Sequence, residues 1–368
     1  MNAGGVWPGQ WPGLHKESRP SVPRLSTSWN RGKTMQEIEI KLVGTDEAWQ
    51  ALQEALAQMT GGTPSGPGQA LRAVYFDTVD GRLAQARSAW RLRWEGQGWV
   101  QTLKMQQGAG LLRIEDNVPR DGSAEAVPEP DARVHPAEVQ AILAQVLGGQ
   151  ALVPVLTTDI LRHSLPLQGP LGQGLRADLD VGTIESGGQA WAVREVEIES
   201  CDPGWTAQEA QQRVMAQADE WIRRFGLWRD GRSKAERGER LRRQQRLDRP
   251  FEWPRAQEWS LAQVGGQLLT CLDQACDVQA QTAHLGAVAE GLRQVVRVLQ
   301  RQWQRDERDA PHQYATHGMP AWAQVFQSQS AFIDQALAGS HDRAQAMVRG
   351  AALQGAVLQF MKEALVQG

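Results

Sequence analysis

The chain has no run approaching the roughly 18 consecutive apolar residues that a membrane-spanning helix requires, so a helical span is excluded. It has too few cysteines for a disulfide framework: Cys201, Cys271 and Cys276 are an odd count in 368 residues. Cys271 and Cys276 read as small buried residues of one helix. It has almost no excess of charge, and a net of −3 gives no support to broad nucleic-acid binding. Residues 1–34 lack the apolar segment of a signal peptide, about 7–15 residues long. They are rich in Gly, Pro, Ser and Trp, carry Lys16, Arg19, Arg24, Arg31 and Lys33 against Glu17, and are expected to be disordered. Met35 is a candidate start. These absences leave a soluble cytoplasmic protein, long enough for two domains and a sizeable core.

What is present begins at once after Met35. Glu37-Ile38-Glu39-Ile40-Lys41 alternates charge and aliphatic strictly, and Val196-Glu197-Ile198-Glu199 repeats the pattern. Successive side chains of a strand point to opposite faces, so Glu37, Glu39 and Lys41 share one face while Ile38 and Ile40 take the other. An exposed face of an antiparallel sheet would explain either segment alone. It explains the pair less well once the basic strands between them are counted. Carboxylate oxygens are hard ligands suited to Mg²⁺ or Mn²⁺, metals that commonly carry phosphate chemistry.

Arg91 and Arg93 stand at i, i+2 and leave one face of Trp90-Arg91-Leu92-Arg93-Trp94. Thr102-Leu103-Lys104 follows the turn-like Glu95-Gly96-Gln97-Gly98, which predicts a hairpin. Arg113-Ile114-Glu115 alternates again, Arg162 ends the run from Leu156, and Lys234 lies in Ser233-Lys234-Ala235-Glu236-Arg237-Gly238. Asp178-Leu179-Asp180 opens a strand read as turning at Gly182, with a second turn at Gly187-Gly188. A sheet carrying Lys41, Arg91, Arg93, Lys104, Arg113, Arg162 and Lys234 either leaves a charged face to solvent or closes around it. Seven enclosed cations repel one another unless something strongly negative lies among them. A polyphosphate with divalent metal is such a filler, because guanidinium forks match phosphate oxygens and lysine supplies a point charge.

The ordered series Glu-x-Glu-x-Lys, Tyr-Phe-Asp-Thr at Tyr75 to Thr78, Arg-x-Arg, Thr-Leu-Lys, Arg-x-Glu, a lone Arg, Asp-x-Gly, Glu-x-Glu and Ser-Lys-Ala-Glu-Arg-Gly resembles the CYTH family, the triphosphate tunnel metalloenzymes. The resemblance covers about residues 35 to 245 and is nearest to the longer bacterial inorganic triphosphatases. It implies an α+β fold: an eight-stranded antiparallel β-barrel tunnel with flanking helices, then an all-α helical-bundle domain similar to a shortened CHAD domain. It also implies metal-dependent hydrolysis of inorganic triphosphate, with Glu37, Glu39, Glu197 and Glu199 holding Mg²⁺ or Mn²⁺ and Glu195 and Asp180 as further candidates. Lys41, Arg91, Arg93, Lys104, Arg113, Arg162 and Lys234 are then substrate-binding, with Lys41, Arg93, Asp180 and Lys234 catalytic, and Glu115 holds Arg113 or Lys104. Thiamine triphosphatase, a class IV-type adenylate cyclase, and a polyphosphate-binding module without turnover remain alternatives on the same residues.

The domain layout follows: an extension over 1–34, the tunnel over 35–247, a linker over 248–258 and a helical domain over 259–368. Asp46 to Met59 reads as an amphipathic helix capped by Thr45, with Trp49, Leu52, Leu56 and Met59 on its apolar side. Further helices are expected over Pro136 to Leu147 and Thr206 to Phe225, the latter with a Thr206–Glu209 capping box. Pro250 to Pro254 reads as a hinge. Every motif lies before residue 240, so the helical domain is expected to be dispensable for catalysis. Arg293, Arg297, Arg301 and Arg305 form an i, i+4 ladder, either a polyphosphate-binding stripe or a solvated face; the balanced charge around it favours the second. His284, His312, His317 and His341 read as surface or satisfied helix residues.

Overall fold

The computed structural model of the chain describes residues 35–59, 68–106, 112–243, 249–254, 258–277, 279–309 and 319–365. The expectation of a disordered 1–34 lies outside them, as do His312 and His317 and the side chains of Glu37, Arg113 and Arg305. The first part runs β1 (Met35–Val43), α1 (Asp46–Met59), β2 (Gln69–Asp77), α2 (Arg82–Gln85), β3 (Ser88–Trp94), β4 (Trp99–Gln106), β5 (Leu112–Arg120), α3 (Ala137–Leu147) and β6 (Val153–Pro166). It continues through α4 (Gly169–Gly172), β7 (Leu175–Ser186), β8 (Gln189–Ser200), α5 (Ala207–Phe225), β9 (Trp228–Arg229) and α6 (Lys234–Arg242). Five helices complete it: α7 (Leu261–Ala275), α8 (Thr282–Asp309), α9 (Ala321–Leu337), α10 (His341–Arg349) and α11 (Ala351–Phe360). No helix among the described residues is long and apolar enough to cross a membrane.

The fold is α+β, with nine antiparallel strands in the order β5-β4-β3-β2-β6-β7-β8-β1-β9. β1 also pairs with β5 over Met35–Ile38, which brings the first strand of that order back against the eighth. The wall therefore meets itself along four residue pairs, a curled nine-stranded sheet rather than a fully zipped eight-stranded barrel. Two turns fit their residues. Gly187 and Gly188 join β7 to β8 with φ of 58° and 75°, a backbone that glycine adopts without a Cβ penalty. Trp94 pairs with Trp99 across the expected Glu95–Gly98 turn.

Gly182 is not a turn. It lies inside β7 opposite Ile160, and a Cβ there would fall 2.0 Å from the Asp159 carbonyl oxygen. The glycine serves close backbone approach within a strand, a role that sequence cannot tell from a turn.

Helix signals held where local chemistry dictates them. The Thr45 hydroxyl accepts from the Ala48 amide at 3.3 Å, and α1 buries Trp49, Leu52 and Leu56. Met59, expected on that apolar side, is exposed. Thr206 and Glu209 form the reciprocal capping box on α5. Cys271 is buried in α7 and Cys276 directly after it, both with free thiols. His284 is buried, and its Nδ1 accepts from the Gln281 amide at the start of α8.

The main core is a single cluster. It joins Ile38, Ile40 and Leu42 of β1, Val196 and Ile198 of β8, and Val214 and Ile222 of α5 to Val264, Leu268, Phe326 and Phe360 of the C-terminal helices. The described linker residues are packed too: Phe251, Trp253 and Trp259 meet edge-on or tilted, at centroid distances of 5.1 to 6.2 Å.

Candidate active site

Strand alternation settles which side chains meet. Across the sheet, Glu39 pairs with Glu199 and Lys41 with Glu197. Glu199 pairs onward with Arg176, Glu197 with Asp178 and Glu195 with Asp180. Asp180 pairs with Arg162. The outer residues of the same strands, such as Ile40 and Val196, go to the apolar core. Leu92 likewise joins Val74, Phe76 and Trp99 in an apolar cluster, while its neighbours Arg91 and Arg93 face the cavity.

That cavity measures about 320 Å³. Its lining includes Glu39, Lys41, Arg91, Arg93, Lys104, Arg162, Asp180, Glu197, Glu199 and Lys234, all named from sequence. Glu195 lies behind it, fully buried. Glu37 and Arg113 are opposite one another in the β1–β5 register, their side chains outside the described residues.

At one end the acids are saturated. Lys234, at the first position of α6 behind its Ser233 capping box, sends Nζ to Asp180 (2.6 Å), Glu195 (2.5 Å) and Glu197 (3.1 Å). Arg162 grips Asp180 with two 2.6 Å bonds and reaches Asp178 at 2.8 Å and Glu197 at 2.5 Å. Arg237 donates to Glu195, and Lys41 lies 3.8 Å from Glu195 and 3.9 Å from Glu197. Burial alone would raise the Glu197 carboxyl, but Lys234, Arg162 and Lys41 outweigh it and hold the group well below its usual range. Burial would likewise lower the Lys234 ammonium; Glu195, Glu197 and Asp180 reverse that and keep it charged.

At the other end the balance tips the opposite way. Glu199 has Arg176 as its ion-pair partner and faces Glu39 directly across the strands. Burial pushes the Glu199 carboxyl up to about 7; Arg176 opposes the shift, while Asp178 and Glu39 reinforce it. Two carboxylates opposed in this way are destabilising without a cation between them.

The basic wall has its own supports. Glu115 accepts from Lys104 at 2.7 Å and lies 3.9 Å from Arg91, so it holds Lys104 as expected. Glu95 receives Arg93 Nε at 2.9 Å. Tyr75 is buried against Arg91: burial would raise its hydroxyl, and the guanidinium outweighs it and lowers it. Sequence reasoning missed Tyr75, Arg176, Asp178 and Arg237 as members of the site. Arg176 and Asp178 could have been found by extending the alternation of Asp180 backward. Arg237 stood in a quoted motif without a role.

Two carboxylate groups could receive a divalent cation. Asp180, Glu195 and Glu197 have ligand atoms all within 4.8 Å of one another, but four cationic side chains already neutralise them. Glu39 and Glu199 are hard oxygen donors that face one another across β1 and β8, and this donor chemistry also fits Mg²⁺ or Mn²⁺.

The model of the CYTH domain matches residues 35–223, so the C-terminal helices fall outside the match. No curated protein matches the chain. Among solved structures it is similar to the PH1819 protein of Pyrococcus horikoshii, at 17% identity over 56% of this chain and 99% of that one, with a TM-score of 0.38. It is similar to HpAC1 of Hippeastrum, an adenylyl cyclase candidate described as having a dominant triphosphatase activity (20% identity, 56% and 96% coverage, TM-score 0.32). The Mimivirus capping enzyme triphosphatase is similar at 10% identity, with 49% and 87% coverage and a TM-score of 0.30.

Proposed function

Because the chain belongs to the CYTH domain family, we propose that it hydrolyses inorganic triphosphate to diphosphate and phosphate, using Mg²⁺ or Mn²⁺. The observation that carries this reading is the cavity wall. Lys41, Arg91, Arg93, Lys104, Arg162 and Lys234 converge on one space of about 320 Å³, at the small end for ligand sites. Such a wall suits a compact polyanion. Trp90, Trp94 and Trp99 are the aromatic candidates for stacking a base or thiazole. Trp94 and Trp99 pack edge-to-face with centroids 5.7 Å apart and do not border the space. Trp90 borders it but is almost fully buried in an apolar cluster with Leu83 and Leu103.

In this mechanism the arginines and lysines bind the triphosphate and stabilise the charge that develops as the phosphoanhydride breaks. Glu39 and Glu199 would hold the metal, with Glu37 on the same strand face, and it would supply Lewis-acid neutralisation of the phosphate charge. Glu195 and Asp180 are anchors for cations rather than ligands, and Lys234 is oriented by all three acids around it. Residues 35–247 form the catalytic unit on this reading, 259–368 its helical companion, and the setting is cytoplasmic.

Phosphate release from tripolyphosphate, ATP, thiamine triphosphate and long-chain polyphosphate, each with Mg²⁺ and in EDTA, tests the reading. Preferential, metal-dependent cleavage of tripolyphosphate is expected. Undiminished release in EDTA overturns it, and tight binding without release makes the protein a polyphosphate-binding module.

A further inference from the structure

The turn between β9 and α6 touches both the cavity and the C-terminal helices. Lys41 Nζ donates to the Arg232 carbonyl oxygen at 3.0 Å, and the next residue, Ser233, caps the helix that carries Lys234. Two cavity lysines therefore depend on where four residues, Asp230 to Ser233, are held.

They are held from the far side by the end of α7. Asp273 accepts from the Gly231 amide at 3.0 Å and from Arg229 at 2.9 Å. Asp277, almost fully buried, takes Arg232 at 2.5 Å and Arg240 of α6 at 2.8 Å on one oxygen. Both guanidinium groups lie over the Trp191 ring of β8, at 5.7 and 5.1 Å. Arg232 is further locked by Asp230, at 2.9 Å through Nε and 2.8 Å through a terminal nitrogen. The fit is close: a Cβ on Gly231 would lie 2.2 Å from an Arg229 nitrogen and 2.7 Å from an Asp273 oxygen. No residue of α7 lines the cavity.

We propose that Asp277 is a positioning residue of the active site, acting through Arg232 and Arg240 to set Lys41 and Lys234, so that the helical region completes the site it does not touch. The proposal rests on the triphosphatase reading for its kinetic arm and on geometry alone for its binding arm. Removing the carboxylate frees two stacked guanidinium groups at once. The turn then loses its outer anchor and the Arg232 carbonyl its fixed place.

The test uses the full chain with Asp277→Ala and the isosteric Asp277→Asn, and Gln335→Ala on the exposed face of α9 as the control. Melting temperature, KM and kcat for tripolyphosphate, and calorimetric affinity for tripolyphosphate in EDTA are read for each. The expected result is a KM raised about tenfold in the Ala variant, as when one charge-assisted contact is lost, with kcat changed less. The EDTA affinity should fall in parallel, and the Asn variant, which keeps an acceptor oxygen, should lie between. If the Ala variant does not fold, the Asn variant is read alone. Folded variants with wild-type KM and wild-type affinity overturn the proposal. A wild-type protein without turnover overturns the triphosphatase reading instead, and the affinity comparison still decides the role of Asp277.

Discussion

Glu195 and Glu199 stand on one face of the same strand, yet their surroundings are opposite. Glu195 is fully buried among Lys41, Lys234 and Arg237, whose charges outweigh its desolvation and lower its carboxyl. At Glu199, burial and two neighbouring carboxylates outweigh Arg176 and the charge of Lys104, and the carboxyl is pushed up to about 7. Strand position makes the two equivalent; the supply of cations does not. Cations surround Glu195, whereas Glu199 faces Glu39 and has the hard oxygen chemistry that suits a divalent cation.

The largest effect that could break this contrast is on turnover. Glu39→Gln and Glu199→Gln should each lower kcat/KM for tripolyphosphate by about a hundredfold or more, since even outer-shell changes at metal sites cost about 10–100-fold. Melting temperature without metal should not fall. Variants that unfold, or that keep wild-type activity, would erase the distinction between the two ends.

The contrast also marks what was legible in the sequence. Alternation alone placed Glu39, Lys41, Arg91, Arg93, Glu197 and Glu199 on the cavity side, because a period of two leaves a strand no other choice. It could not rank them. Which acid meets which base depends on register across the strands, so Arg176 went unnoticed, Asp178 was named without a role, and the pairing of Glu197 with Lys234 and Arg162 was not foreseen. Gly182 failed for another reason, since a missing side chain signals a turn and a close approach alike. The helical region was legible as helices but not as a neighbour. Apolar periodicity announces a buried face without saying what covers it.

At the saturated end the expected loss is of stability. Glu195→Gln leaves Lys41, Lys234 and Arg237 without their shared partner, and breaking a buried ionic group costs about 3–5 kcal/mol. Chemical denaturation should show it as a lower midpoint with unchanged slope. A midpoint equal to wild type would mean that Glu195 is not the anchor described.

On the basic wall, Arg91→Ala and Arg93→Ala should each weaken tripolyphosphate affinity and turnover about tenfold, the worth of one charge-assisted contact at about 1.5–3 kcal/mol. Glu115 keeps Lys104 as a partner when Arg91 is removed, so Arg91→Ala should keep the wild-type fold. Unchanged affinity in both would remove them from the binding set.

The smallest effect is on acid tolerance. Burial raises the Asp277 carboxyl, but the hydrogen bond from Arg240 and the charge of Arg232 outweigh it and lower the group, as cations do for Glu197. A carboxyl depressed in the folded state contributes stability above its unfolded pKa, near 4. That contribution is lost as pH falls through the folded value. Melting temperature should therefore drop below about pH 4, and less steeply in Asp277→Asn. A variant with the wild-type slope would show that this carboxyl is not the one being titrated.

The apolar backs of β1 and β8 lie in the same cluster as α7, α9 and α11. Between them lies α5, which packs on β1 and β8 and also on α11, so the strand backs and the C-terminal helices share one core through it. Cleaving the chain near residue 250 would remove α11 from the back of α5 and leave that apolar surface open to aggregation. Cooperative unfolding of the two parts is the expected consequence.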